Sequence, residues 1–551
     1  MKDLVELLTV AAKELFGLTV EPELSRPEEQ FGDYSTNLAL QLSKQLEQKP
    51  QHVAEQLKTY LVSHKNNSVA RVEVAGPGFL NIYLTDAALW QGVKTEMPLL
   101  RQGQSVLLEY SNPNAFKELH TGHLYQTIVG DTIGRLLETS GAKVFRANFG
   151  GDVGMHVGKA MYGIKHQLGG EHPEKLAAVP AADRSNWLSK AYVYGSKAFE
   201  VDENATKEIN ELNGAIYGFH QTDDHDSPLA QIYWQCREWS YDYFKSFYKQ
   251  LEVAPFDKYY PESQTTTAGM ELVQDNLGTV FVEENGAVIF KGEDSGLHTR
   301  VFVTSKGLPT YETKDLGVII CETADFKYDG RIVMTVNDQS EYMKVVFAAL
   351  LQIDEDLAAK QVHLANGTIR FGSGQKMSSR LGNVARATDV LNAVNKAADG
   401  NNAVSLGAIK YSFLKQRLGG DINFEVEESV SLQGNSGPYL QYAYARARSI
   451  LTKSDADKIE GDEPSFEKGE RSLARALSLY QETIGLAATE LHPHHICNYL
   501  YELAQVFNRF YESNKVIGDP RQAVRLKLVQ AYADVLKHGL GLLNVPAPEH
   551  L

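Results

Sequence analysis

Cysteine is scarce in this chain: Cys236, Cys321 and Cys497 are the only three in 551 residues. They are far apart and odd in number, which excludes a disulfide framework and a CxxC-type zinc site and leaves buried thiols as the ordinary reading. Long apolar runs are missing as well, and no stretch reaches the roughly 18 residues that a bilayer-spanning helix needs. The opening MKDLVELLTVAAKELFG carries Asp3, Glu6 and Glu14 within its apolar pattern, so it predicts an amphipathic helix and not a secretory leader. The expectation is a cytoplasmic protein without a membrane partner. No repeat of fixed period and no long low-complexity tract is present. Positive charge is in deficit, with 54 Lys and Arg against 70 Asp and Glu and a net charge of -16. Nucleic-acid binders usually carry a basic footprint, but in a large chain one domain can present a basic face while the rest stays acidic. Charge alone leaves both readings open.

Hydrophobic residues make up 43% and charged residues 23%, ordinary for a globular protein of this length and enough for several cores. Three blocks are legible. Residues 1–98 open with helical patterning and close with RVEVAGPGFLNIYLTD, where two strands flank a Gly-Pro-Gly turn, predicting a small α+β domain. The block 99–415 begins with SVLLEYS, whose Val106, Leu107 and Leu108 have the continuous apolar character of a buried parallel strand. The loop NPNAFKE follows, then a helix from about His120 to the Ser140–Gly141 stop, then KVFRANFGGD as the next strand. This βαβ unit predicts a doubly wound nucleotide-binding sheet. Further strands are predicted at VFVTS (301–305), GVII (317–320) and RIVMTV (331–336), with 156–260 mostly helical. The aromatic stripe IYWQCREWSYDYFKSFY within it is expected to be core. The block 416–551 is patterned as helices, predicting a bundle.

Two motifs carry chemistry. His120-Thr121-Gly122-His123 stands between a strand and a helix, where free backbone N–H groups and the helix dipole favour a phosphate. Histidines three apart share one face of the first turn and can donate to phosphate oxygens, and Gly122 leaves space against the backbone. Far downstream, Lys376-Met377-Ser378-Ser379-Arg380 offers two cations and two hydroxyls beside glycines, a loop suited to a triphosphate. Alone, the first reads as two surface histidines at a helix start or a two-His metal site, and the second as a solvated basic loop. Together, in this order and context, they resemble the paired signatures of class I aminoacyl-tRNA synthetases.

The resemblance narrows to the arginyl-tRNA synthetases through EYSNPNAFKELHTGHLYQTIVGDTIGRLLETSGAKVFRANFGGDVG, PTYETKDLG (309–317), NDQSEY (337–342), KMSSRLGN (376–383) and GNSGPYLQYAYARARSI (434–450). FGDYSTNLAL (31–40) and GPGFLNIYL (76–84) resemble that family's additional N-terminal domain, and GLGLLNVPAPE its chain end. What this implies is an α/β protein: a Rossmann-type class I catalytic domain with insertions and the KMSxR loop, an N-terminal α+β domain contacting tRNA, and a C-terminal all-α anticodon-binding domain. The implied reaction is ATP-dependent attachment of L-arginine to tRNA(Arg) through an arginyl-adenylate, with Mg2+ accompanying ATP, tRNA needed for the first step, and a monomeric enzyme. Glu109, Tyr311 and Asp315 match positions that hold the guanidinium, chemistry in which carboxylates meet a planar fork of donors. Asn112, Asn114, His120 and Gln339 complete the implied arginine site. His120, Gly122, His123, Lys376, Met377, Ser378 and Ser379 are implied for ATP, with Lys117 as a further cation. Tyr439, Tyr442, Arg446 and Arg448 are implied for tRNA.

The sequence departs from the family pattern at Asn112, where Ser is frequent; at Ser379 it lacks the second lysine of the general class I loop, as arginyl enzymes often do. Which cation faces the phosphates therefore stays open between Lys117 and Arg380. Two rivals stand beside the main reading: another adenylate-forming ligase with an HxGH motif, and a catalytically silent tRNA-binding paralogue.

Overall fold

Residues 2–64, 68–93, 95–96, 99–371, 385–454 and 465–551 are described by the computed structural model. The N-terminal block forms an antiparallel sheet of β1 (Leu24–Ser25), β2 (Tyr34–Thr36), β3 (Val69–Ala75) and β4 (Phe79–Leu84), in the order β1-β2-β4-β3. Strands β3 and β4 make the expected hairpin, with Ala75 opposite Phe79. Its turn needs glycine: Gly78 stands at φ 137, and a Cβ there would press on Pro50. Leu8, Leu42 and Leu57 from three helices share one core with Leu80 and Ile82 of β4.

The next strands are β5 (Ser105–Glu109), β6 (Lys143–Gly150), β7 (Lys258–Pro261), β8 (Val282–Glu284), β9 (Ala287–Phe290), β10 (Arg300–Val303), β11 (Gly330–Val336), β12 (Gln361–Asn366), β13 (Ile369–Phe371) and β14 (Ile422–Phe424). Five of them form a parallel sheet in the order β12-β11-β5-β6-β7. The chain winds from β5 out to β7, then returns to the other side of β5 as β11. The carboxyl ends of β5 and β11 thus border the crevice where a doubly wound sheet binds ligands. The helix Thr121–Thr139 runs directly from that crevice, as its pattern requires.

Two predicted strands are corrected. VFVTS is a strand only as β10, which pairs antiparallel with β9 in a separate three-stranded sheet. GVII lies inside the helix Tyr311–Asp325. Its Gly317, Val318 and Ile319 are buried, and a buried helix segment shows the same short apolar run as a buried strand. RIVMTV is β11, as expected.

Four helices spanning 155–250 form their own core, with Tyr233, Cys236 and Trp239 of the aromatic stripe inside it. Phe244, Phe247 and Tyr248, further along the same helix, join a larger core shared by the parallel sheet and the C-terminal helices. Cys236 and Cys497 are buried and Cys321 is half-buried, all as free thiols. The C-terminal helices Gly437–Thr452, Lys468–Ser478, Tyr480–Glu490, His494–Ser513 and Gln522–Leu542 form the bundle. The N-terminal domain docks on this bundle through buried Asp33, which meets Arg471 at 2.8 Å and Arg475 at 3.4 Å. Among the described residues, no helix is long and apolar enough to cross a membrane.

Candidate active site

The loop leaving β5 is tightly folded. Ser111, Asn112 and Phe116 all take positive φ, at 73, 44 and 65. Such conformations cost free energy outside glycine and persist where surroundings enforce them. Buried Ser111 is bonded to Thr127 at 2.8 Å and Tyr248 at 2.9 Å. The Asn112 amide donates to Glu109 at 2.7 Å and its carbonyl accepts from the Phe149 N–H at 3.0 Å. Asparagine tolerates the left-handed region, and its two-ended amide ties this loop to both β5 and β6.

At the helix start the two histidines cap backbone donors. His120 Nδ1 accepts from the Gly122 N–H at 3.0 Å, and His123 Nδ1 accepts from the His120 N–H at 3.3 Å. Their rings lie 3.8 Å apart. Because both Nδ1 atoms accept, the neutral rings carry their protons on Nε2 and present donors away from the helix. Neutrality is enforced: desolvation, then the Lys117 ammonium, hold His120 down to about 4. His123 is pushed well below its ordinary value by burial, then by His120 and Lys117. Gly122 has a specific reason to be glycine, since a Cβ would come within 2.8 Å of the His120 ring.

Lys117 rests over the Tyr192 ring, 4.1 Å from its centre. It also depresses His156, which burial first and Lys117 second bring to about 3. His156 is bonded to the Gly151 carbonyl at 3.2 Å. A Cβ at Gly151 would strike the Asn114 side chain and His156, so the glycine gives Asn114 its seat. The sequence signal for this wall was the Gly-Gly-Asp at the end of β6.

Glu109 is almost fully buried at 1% exposure. Its carboxylate pairs with Arg331, whose Nε also bonds Glu322 at 2.5 Å. Sequence reasoning missed Arg331. An arginine opening an apolar strand was the available signal, since a buried guanidinium requires carboxylates. Asp315 lies close enough to feel this group. Burial, then the Glu109 charge, push its carboxyl well above the usual range, against the pull of Arg331. Tyr342 donates to Asp315. Tyr342 stands three residues past Gln339, which is exposed just beyond β11. Tyr311 is 63% exposed, and its ring centre lies 5.3 Å from Lys314. Lys314 in turn is buried against Glu262 at 2.6 Å.

Lys376, Met377, Ser378 and Ser379 lie outside the described residues. From residue 385 the described chain is anchored on the histidine motif: the Ala385 carbonyl accepts from the Thr121 N–H at 3.1 Å, and the Ala387 N–H donates to the Leu119 carbonyl at 2.8 Å. Arg386 pairs with Glu118 at 3.2 Å. On the bundle, Tyr439, Tyr442 and Arg446 share one face of the helix Gly437–Thr452. Tyr442 is exposed, Tyr439 is bonded by Asn508 at 2.9 Å, and Arg446 lies over Tyr511 at 4.6 Å. Arg448 points elsewhere and pairs with Glu549 at 3.2 Å.

A family model described as tRNA synthetases class I (R), catalytic domain, matches residues 85–424, more than half of the chain. The chain belongs to the class I arginyl-tRNA synthetases. The arginyl tRNA synthetase N terminal domain matches residues 2–84, and the DALR anticodon binding domain matches 440–551. Among arginyl-tRNA synthetase relatives, an arginine–tRNA ligase of Frankia casuarinae is 31% identical over 96% of this chain and 94% of its own. One from Flavobacterium psychrophilum is 29% identical over 99% and 98%. The solved arginyl-tRNA synthetase of Thermus thermophilus superposes with a TM-score of 0.81 at 26% identity, covering 100% of both chains.

Proposed function

We infer that this chain attaches L-arginine to tRNA(Arg) at the expense of ATP. The observation that carries the reading is the surplus of carboxylate at the crevice. Glu109 and Glu322 both bond the single internal guanidinium of Arg331, while Asp315, near enough to feel the Glu109 charge and bonded by the Tyr342 hydroxyl, is left short of a countercharge. A substrate guanidinium supplies that charge, with Tyr311 at the mouth and Asn114 and Gln339 toward the amino-acid backbone. Glu109 acts chiefly through its field, because Arg331 and Asn112 already hold it.

The arginine carboxylate attacks the α-phosphorus of ATP, giving arginyl-adenylate and pyrophosphate. The 2′-hydroxyl of the terminal adenosine of tRNA then takes the arginyl group and AMP leaves. The protein's work is positioning and charge stabilisation. His120 and His123 donate from Nε2 to phosphate oxygens, with Gly122 giving their rings room. Lys376, Met377, Ser378 and Ser379 are assigned to the triphosphate, and Lys117 adds charge from the β5 loop. Magnesium enters with the nucleotide and is held largely by its phosphates. The domains are taken as 1–98, 99–415 and 416–551, with Tyr439, Tyr442 and Arg446 on the tRNA-facing side and Arg448 bracing the chain end. The enzyme is read as a cytoplasmic monomer. The test is aminoacylation of bulk tRNA with each amino acid in turn. Charging with arginine alone is expected; lysine charged with comparable efficiency would overturn the assignment.

A further inference from the structure

The turn Glu490-Leu491-His492-Pro493-His494-His495 joins the helices Tyr480–Glu490 and His494–Ser513. Leu491 takes the left-handed conformation at φ 58, and the chain reverses within a few residues. This delivers three imidazoles to one spot, on the bundle and apart from the crevice. One ring nitrogen from each of His492, His494 and His495 lies within 4.8 Å of the other two, the only such group of three potential metal ligands among the described residues.

Two independent observations point to a ligand. His494 Nδ1 is sealed from solvent and has no hydrogen-bond partner, which a buried polar atom seldom tolerates. Glu490 Oε2 lies 2.7 Å from His495 Nε2 and 3.9 Å from His492 Nδ1. A carboxylate on one ring nitrogen fixes the tautomer and leaves the other nitrogen as a metal donor. We propose that His492, His494 and His495 bind a zinc-type dication, with Glu490 as the positioning carboxylate.

The chemistry agrees with the geometry. Tetrahedral ligands at ~2.0–2.1 Å sit ~3.4 Å apart, so small ring rotations close the site. Three imidazoles leave a fourth position for water. Metal ligation needs a ring nitrogen with a free lone pair, and the unpartnered His494 Nδ1 can supply one. The charge of Arg417 reaches this ring. Arg417 opposes an added cation, and Glu490 offsets it. The ion clips the turn between two bundle helices. Next to it, Tyr411 of the helix Asn402–Leu414 donates to the Cys497 carbonyl at 3.0 Å, so the clip braces the bundle against the preceding domain.

The test uses the untagged full chain, stripped with a chelator and titrated with Co2+ and then Zn2+. One equivalent of cobalt is expected to give the visible bands of a tetrahedral site, to be displaced by zinc, and to raise the thermal midpoint. Glu490→Gln should weaken binding by about 10–100-fold, and His494→Asn with His495→Asn by more than about 100-fold. Arginine activation should stay at its ordinary level in both. If the double variant does not fold, His492→Asn alone makes the same comparison, being in the turn outside either helix. Failure of the wild type to bind one equivalent, or a folded variant binding as the wild type does, overturns the proposal; the latter result would move cobalt to others of the 16 histidines.

Discussion

Asp315 and the histidine pair show how single groups are set for opposite charges. Asp315 is driven toward its neutral form by burial and by Glu109, and an arriving guanidinium reverses this by favouring the carboxylate. The sign follows: arginine binds the ionised form, so binding releases a proton, and the Michaelis constant for arginine rises as pH falls through the raised pKa of Asp315. Calorimetry in buffers of different ionisation enthalpy measures that proton. Asp315→Asn should remove it and cost arginine recognition about 2–5 kcal/mol, the scale for truncating one partner of a buried charge pair, with ATP use little changed. An Asn variant with normal arginine kinetics would move the pocket elsewhere. His120 and His123 are set the other way. With His120 at about 4 and His123 well below its ordinary value, both stay neutral Nε2–H donors across neutral pH. His120→Ala and His123→Ala should each slow adenylate formation roughly 10²–10³-fold, and the wild-type activation rate should show no inflection from this pair between about pH 5 and 8. Unchanged single-turnover rates in both variants would remove the motif from phosphate chemistry.

The loop between β5 and the helix Thr121–Thr139 is the element on which the site depends. Its residues were legible because strand, loop and helix differ sharply in pattern, and the structure adds that His120 caps the helix. What lay hidden was tertiary. No local signal shows that Arg331 reaches back to Glu109, or that Tyr192 from an inserted helix seats Lys117. GVII was misread because four apolar residues look alike in a buried helix and a buried strand, whereas the fuller YETKDLGVII context is helical. VFVTS had the right local conformation, but nothing in five residues tells a parallel sheet from an antiparallel one. The missing loop lysine gives this element its test. Lys117 stands near enough to lower His120, His123 and His156, so its charge reaches the histidine pair to which the phosphates are assigned above. Lys117→Ala should slow adenylate formation strongly while arginine affinity stays nearly intact. Adding Ser379→Lys should restore part of the rate, and Arg380→Ala measured in parallel weighs the competing cation. A Lys117→Ala enzyme activating arginine at the full rate would return the role to the loop around Lys376.

At the scale of the molecule, the bundle is not an appendage. One continuous core runs from Val106 of β5 through Leu124, Leu406, Ile409 and Phe413 to Leu440, Leu500, Leu536 and Val545. Polar contacts follow the same route: Asn544 donates to Asp131 at 2.8 Å, Lys410 donates to the Asn544 carbonyl at 2.8 Å, and Gln441 donates to the Pro546 carbonyl at 2.8 Å. Removing everything after residue 415 would expose Leu406, Ile409 and Phe413 at once, each worth roughly 1.5–3 kcal/mol when buried. It would also leave Asp131 and Lys410 without these partners. Against a typical net stability of about 5–15 kcal/mol, such a truncation should unfold the sheet domain as well, abolishing arginine activation along with tRNA charging. Surface variants separate the two functions. Tyr442 is 49% exposed and Arg446 lies over Tyr511 on the same helix face, so Tyr442→Ala and Arg446→Ala should keep the wild-type melting temperature. Both should raise the Michaelis constant for tRNA, with turnover recovered at saturating tRNA. Arg446→Ala should also flatten the salt dependence of tRNA binding by roughly one phosphate contact on a log–log plot. A truncated chain that stays folded and activates arginine would show that the shared core is dispensable, and Arg446→Ala with an unchanged salt slope would take the RNA off this face.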